Sequence, residues 1–197
     1  MKVLALELSS PVGSVAFCDD CGKSEVQAFP ANRKDSGLFY ENLRAVYRAG
    51  APPNLIVVGL GPGSYAGVRI AIATALGLRL ASGARLCGLP SLCAIDREEY
   101  LFVGDARRNS FVFAHVVDGQ CVEGPILASE EEIRAKLRDA QALPVLATQP
   151  LEQFEKVIME YPSALRLIEL ARRMNGHSDE TLEPIYLRAP YITAPAR

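Results

Sequence analysis

A strand–acid–turn–strand device occurs twice in this chain and narrows its fold sharply. Near the start, Val3-Leu4-Ala5-Leu6 runs apolar into Glu7, turns through Ser9-Ser10-Pro11, and returns as Ser14-Val15-Ala16-Phe17. In the second half, Leu101-Phe102-Val103-Gly104 runs into Asp105, turns, and returns as Ser110-Phe111-Val112-Phe113. Short apolar runs rich in branched residues read as buried strands, and the polar segments between them read as tight reversals. Two such copies read either as two related lobes facing a cleft or as two ordinary hairpins, which share this form. In the first reading one lobe spans residues 1–100 and a second, smaller one residues 101–197.

The pattern between these units sets the class. After a third strand at Ser24–Phe29, Asp35 or Ser36 is placed to cap a helix running to Ala49, with Gly50 and Pro52-Pro53 stopping it. Leu55–Leu60 reads as a fully apolar strand, Ser64–Ser82 as a long helix and Arg85–Leu89 as a strand. The order βββαβαβ is an α/β lobe with mixed strand directions. The second half predicts strands at Tyr100–Gly104, Ser110–Val117 and Gln120–Ala128, and a helix at Glu130–Ala140. It continues with a strand at Pro144–Ala147, helices at Leu151–Glu160 and Ser163–Asn175, then the turn Gly176–Asp179 and a tail at Leu182–Arg188.

Composition excludes several functions. With 197 residues, 49% of them hydrophobic, bulk disorder is ruled out. The net charge of −2 lacks the basic excess that tight, unaided RNA binding needs. The two histidines, His115 and His177, are too far apart for a helix-borne metal pair. Five cysteines, an odd number at irregular spacing, suit a reducing cytoplasm better than a disulfide framework. Cys18 and Cys21 form a CxxC where a hairpin turn is expected. No signal peptide or membrane span is expected.

Three features are candidates for chemistry or binding. The stretch Gly59-Leu60-Gly61-Pro62-Gly63-Ser64-Tyr65-Ala66-Gly67-Val68-Arg69 joins a buried strand to a helix. It reads either as a tight connection or as a backbone cradle for an anion, although its spacing fits neither Walker A nor the dinucleotide pattern. On the following helix, Ile70, Ile72, Leu76, Leu78 and Leu80 spread around most of the circumference, and Ala66, Ala73, Gly77 and Ala81 form a line of small residues. That helix is either central to the core or covered by a partner protein. Glu7 and Asp105 are either facing carboxylates able to orient a metal–phosphate, or acceptors of turn N–H groups.

Leu4-Ala5-Leu6-Glu7-Leu8-Ser9-Ser10, Gly13-Ser14-Val15-Ala16, and Gly61-Pro62-Gly63-Ser64-Tyr65-Ala66-Gly67-Val68-Arg69-Ile70 together resemble the bacterial TsaB (YeaZ) family. The segments Gly104-Asp105-Ala106-Arg107 and Leu182-Glu183-Pro184-Ile185-Tyr186-Leu187-Arg188 are similar to two further blocks of that family, so the likeness runs from end to end. It implies an actin-like (ASKHA, RNase H-like) fold and a role in forming N6-threonylcarbamoyladenosine in tRNA. In that system a TsaD-type transferase carries the metal site, a TsaE-type ATPase joins, and the TsaB member is the non-catalytic activator.

The resemblance places the partner interface on the first two helices, with Ser36, Phe39, Tyr40, Leu43, Val46, Tyr65, Gly67, Arg69, Ile70, Ala73 and Gly77 as its candidates. Nucleotide-proximal candidates are Glu7, Ser9, Gly61, Gly63, Ser64 and Asp105. ATP or ADP is expected at the junction with the partner rather than tightly bound here. No catalytic or metal-binding residue is expected, tRNA is contacted through the partner, and the free chain is a candidate homodimer. The alternatives are an independent ASKHA phosphotransferase or ATPase and, more weakly, a glycopeptidase-like protease. Glu7 stands where the family usually has Asp, and Asp35 where it has His. The short segment between Leu89 and Tyr100 predicts a trimmed helix.

Overall fold

The computed structural model describes residues 1–31, 36–47, 52–140, 142–175 and 181–188. Its first sheet is built from β1 (Val3–Glu7), β2 (Val12–Cys18), β3 (Ser24–Pro30), β4 (Leu55–Gly59) and β5 (Arg85–Leu89), in the order β3-β2-β1-β4-β5. The three-strand meander is antiparallel, while β1, β4 and β5 run parallel. Parallel neighbours need a crossover, which α1 (Gly37–Tyr47) and α2 (Tyr65–Ser82) supply. Ser64 caps α2 by accepting from the Gly67 N–H, and Gly83 closes it at φ 70. The expected helix end at Ala49, Asp35 and the Gly176–Asp179 turn lie outside the described residues.

The second sheet contains β6 (Glu99–Asp105), β7 (Ser110–Val117), β8 (Gln120–Ser129), β9 (Val145–Ala147) and β10 (Val157–Met159). Its order β8-β7-β6-β9-β10 repeats that of the first sheet strand for strand, again with an antiparallel meander followed by parallel strands. The helix α3 (Glu130–Asp139) occupies the place of α1 and starts with a full capping box between Ser129 and Glu132. The duplicated device in the sequence thus corresponds to a duplicated sheet, and the architecture is the two-lobed, actin-like α/β fold.

The copies differ where the second would need its version of α2. The helix expected at Leu151–Glu160 is absent. Residues 148–156 form turns, Lys156 adopts φ 60, and the strand β10 begins at Val157. Leu151 and Phe154 show helical spacing, but they serve as plugs, 6% and 5% exposed, in the core under α3. So short a connection between three-residue strands cannot hold a helix and also return. Likewise, the segment between the lobes carries only the 3-10 turn Ser91–Ala94, in line with the trimmed helix expected there.

Strand alternation divides the apolar residues between three cores. Leu4, Leu6, Val15, Phe17, Ile56 and Val58 face α1 and α2, whereas Val3, Ala5, Ala16, Leu55 and Val57 face the opposite side. There they meet Tyr100, Phe102, Val112 and Ala114 of the second sheet, together with α4 (Ala164–Arg173). The chain therefore leaves the second sheet after β10 and sends α4 back to the first. A Ser14 hydroxyl fixes the start of that helix by accepting from the Ala164 N–H at 2.8 Å. The tail returns too, with Leu182 packed into the α1–α2 core and the Ile185 N–H donating to Leu60 O at 2.9 Å.

Candidate functional site

The glycine-rich connection is closed against the β1–β2 turn. The Ser64 N–H donates to Ser9 O at 2.7 Å. A Cβ on Gly63 would lie 2.2 Å from Ser9 O, and one on Gly67 would lie 2.0 Å from Leu8 O. These glycines are required because two stretches of the chain's own backbone touch. On its other side the loop is held by Ser91, whose Oγ accepts from the Gly61 N–H at 2.9 Å and whose N–H donates to Gly61 O at 2.8 Å. The Gly61 and Ser64 N–H groups are spent on internal bonds, and Pro62 has none. These contacts are those of a tight connection, with Gly63 and Gly67 pressed against the β1–β2 turn.

Glu7 does not face a cleft. It is fully buried, and its Oε1 accepts from the Ser9 N–H at 2.6 Å. Its Oε2 has no hydrogen-bond partner and fills the space beside Gly59, where a Cβ would come within 1.7 Å of it. Burial pushes the Glu7 carboxyl above its ordinary value of 4.5, against the opposing pull of hydrogen bonding at Ser9 and of the nearby Ser91 hydroxyl. The facing-carboxylate expectation is therefore corrected: Glu7 lies in the joint beneath the glycine loop. Asp105, at the equivalent strand end, accepts from the Arg107 N–H at 2.6 Å and pairs with Arg107 Nη1 at 3.2 Å. Arg107, Arg108 and Asn109 hold φ of 65°, 55° and 54°, so this turn is wound in the left-handed region. Ser9 is buried and Ser64 half-buried. Among the described residues no group of three or more His, Cys, Asp or Glu is placed to hold a metal.

The helix candidates separate into two groups. Phe39, Leu43 and Val46 are 3%, 7% and 1% exposed and pack into the chain's own core, which removes them from any partner surface. Their i, i+4, i+7 spacing marks an inward face, and the sequence carries no sign of which protein fills the other side. Ile70 is half-buried against the same core, and Gly67 is pinned to Leu8 O. Ser36, Tyr40, Tyr65, Arg69, Ala73 and Gly77 are exposed.

The expectation that α2 is covered all round fails within this chain. Val68, Ala71, Ile72 and Ala75 are its buried face, while Leu76 is 41% and Leu80 89% exposed. Ala66, Ala73, Gly77 and Leu80 recur at helical spacing along the opposite, open face. A Cβ on Gly77 would meet nothing within 4 Å.

The late block Leu182–Arg188 shows no role in the sequence. Tyr186 lies at the start of α2, where its hydroxyl accepts from Arg69 Nε at 2.8 Å. Its ring stacks on Tyr65 with centroids 5.4 Å apart, and the Arg69 guanidinium sits 4.0 Å over the Tyr65 ring. The tyrosine hydroxyl holds Arg69 above its ordinary range. Tyr65 and Tyr186 are 50% and 42% exposed, so this clamp forms one end of the open α2 face. The pairing spans most of the chain, and no local pattern could signal it.

No family model matches the chain. Its fold superposes on YeaZ from Pseudomonas aeruginosa with a TM-score of 0.75, over 94% of this chain and 99% of that one at 21% identity. A second Pseudomonas aeruginosa protein, described as uncharacterized with similarity to peptidase YeaZ, gives a TM-score of 0.77 over 95% and 99% at 21% identity. At that identity the likeness shows a shared fold. An uncharacterized protein of Mycobacterium leprae is 37% identical over 81 residues, which span 40% of this chain and 23% of that protein. No described helix is long and apolar enough to cross a membrane.

Proposed function

We propose that this chain is a TsaB-type subunit, a non-catalytic partner that docks on a larger TsaD-type transferase and supports formation of N6-threonylcarbamoyladenosine next to the tRNA anticodon. The open stripe of α2, formed by Ala66, Ala73, Gly77 and Leu80 beside the Arg69–Tyr186 clamp, carries the reading. Small residues let a second helix approach to interaxial distances of about 8 Å. Burying Leu80, 89% exposed here, would supply about 1.5–3 kcal/mol.

The YeaZ fold and the quoted motifs support the family. Closure of the glycine loop on Ser9 and burial of Glu7 support a binding rather than a phosphoryl-transfer role. In this reading ATP or ADP belongs at the junction with the partner complex, which includes a TsaE-type ATPase. Most of the tRNA contact then falls to the partner, since a net charge of −2 supplies no basic excess. The same stripe gives the free chain a route to a homodimer, and a cytoplasmic location follows from the substrate.

Reconstitution of tRNA modification from purified components, with and without this chain, tests the reading. Modification should require the chain, and Leu80→Glu and Gly77→Leu should fold normally yet fail to co-purify with the transferase. Full modification without the chain would overturn it. So would robust ATP turnover by the chain alone that disappears in Glu7→Ala, a result favouring the independent phosphotransferase.

A further inference from the structure

Two thiols meet where the chain passes from one lobe to the other. Cys93 lies in the 3-10 turn Ser91–Ala94 between the two sheets and is 3% exposed. Cys121, near the start of β8, is half-buried against the same shared core. Their Sγ atoms are 3.4 Å apart, only about 1.4 Å beyond a disulfide bond length. Cys93 also lines a small cavity with Leu89, Pro90, Asp118, Leu170 and Arg173.

We propose that Cys93 and Cys121 form a reversible disulfide that fastens the lobe-connecting turn to the second sheet, with hydrogen peroxide as the oxidant. The two sulfurs share one hydrogen bond, and the contact holds Cys121 below the ordinary thiol range and Cys93 above it. Cys121, the more exposed of the two, is therefore the attacking thiolate. Its sulfur takes one peroxide oxygen, the O–O bond breaks, and the departing hydroxide gains a proton to become water, leaving a sulfenic acid. The Cys93 sulfur then attacks the Cys121 sulfur. The S–S bond forms, the S–O bond breaks, and the hydroxyl leaves as water with the Cys93 proton. Two thiols are oxidised by two electrons, and one peroxide is reduced to two waters. A small dithiol reverses the step by exchange.

The other cysteines are placed differently. Cys18 is buried and accepts from Arg172 Nη2 at 3.0 Å, Cys87 is buried, and Cys21 is exposed on the β2–β3 turn. The test treats the purified full chain with hydrogen peroxide, unfolds it, alkylates the remaining thiols and maps the peptides by mass spectrometry. Two of the five thiols should be lost, with the Cys93 and Cys121 peptides joined and released again by dithiothreitol. Tm should rise by about 5 °C or more on oxidation. Cys121→Ser should abolish both effects and Cys21→Ser neither, so the test stands even where Cys93→Ser fails to fold. An unchanged thiol count, a Cys18–Cys21 link, or a sulfinic acid at Cys121 without cross-linking would each overturn the proposal.

Discussion

Two glycines on one helix should respond to alanine with opposite signs. In a helix interior Gly→Ala ordinarily gains about 0.5–1 kcal/mol, because alanine loses less backbone entropy. Gly77 lies on the open face of α2 with nothing within 4 Å of its would-be Cβ, so Gly77→Ala should show that whole gain. Gly67 is the third residue of the same helix, and its Cβ would lie 2.0 Å from Leu8 O and 3.1 Å from Leu8 C. The obstacle is backbone rather than the tip of a flexible side chain. Relief means parting α2 from the β1–β2 turn by about 1 Å, an overpacking that costs about 1–3 kcal/mol.

The same separation strains the 2.7 Å bond from the Ser64 N–H to Ser9 O, worth about 1 kcal/mol. After the helix-propensity gain is set against these terms, Gly67→Ala should destabilise by about 1–3 kcal/mol. Urea unfolding followed by circular dichroism measures both variants, and a chain of this length should shift its Tm by about 2–4 °C per kcal/mol. A Gly67→Ala protein as stable as wild type would refute the close packing of the glycine loop. A Gly77→Ala protein less stable than wild type, at dilutions where the chain is monomeric, would refute the openness of the α2 face.

Glu7→Gln should stabilise the protein at neutral pH and flatten its stability–pH profile. The folded state raises the Glu7 pKa, so it binds the proton more tightly than the unfolded chain, and wild-type stability falls as pH rises above about 4.5; urea titrations at several pH values would show it, and an unchanged slope would count against a buried carboxylic acid. Ser129→Ala removes the capping hydroxyl of α3 and should cost about 1 kcal/mol in the same assay. Leu182→Ala, in the α1–α2 core at 9% exposure, should cost about 2 kcal/mol or more. Tyr186→Phe, which keeps the stacking on Tyr65 and loses only an exposed hydrogen bond, should stay within about 0.5 kcal/mol of wild type; the reverse order would mean that the tail is held by Arg69 rather than by its apolar anchor.

Local chemistry made most of the fold legible. Alternation and branched residues located β1 to β9 to within a residue or two, and the helix expected at Ser64–Ser82 matches α2. The false helix at 151–160 shows the limit of spacing arguments: Leu151 and Phe154 three residues apart satisfy a helix, but a turn that plugs a core satisfies the same pattern. The site was less legible for a related reason. A glycine kept for contact with Leu8 O looks in sequence like a glycine kept for phosphate, and an inward Phe39 looks like an interface Phe39. Contacts such as Arg69–Tyr186 and Cys93–Cys121 join distant segments, so they exist only once both sheets are in place.

The duplicated sheet also explains why the two acids invited a catalytic reading. Glu7 and Asp105 end corresponding strands, β1 and β6, and in an actin-like cleft such positions would face each other. Here each acid is engaged by its own turn. On the first strand the longer Glu7 reaches past Ser9 into the space that Gly59 leaves open. On the sixth, the left-handed run Arg107–Asn109 brings both the backbone and the guanidinium of Arg107 to Asp105. Restoring aspartate at position 7 would pull the carboxyl back by one methylene and leave the pocket at Gly59 partly empty, so Glu7 and Gly59 act as a matched pair. Both acids are thus engaged by their own turns, and the glycine loop is fastened to Ser9 and Ser91. The face of α2 that carries Ala73, Gly77 and Leu80 is exposed.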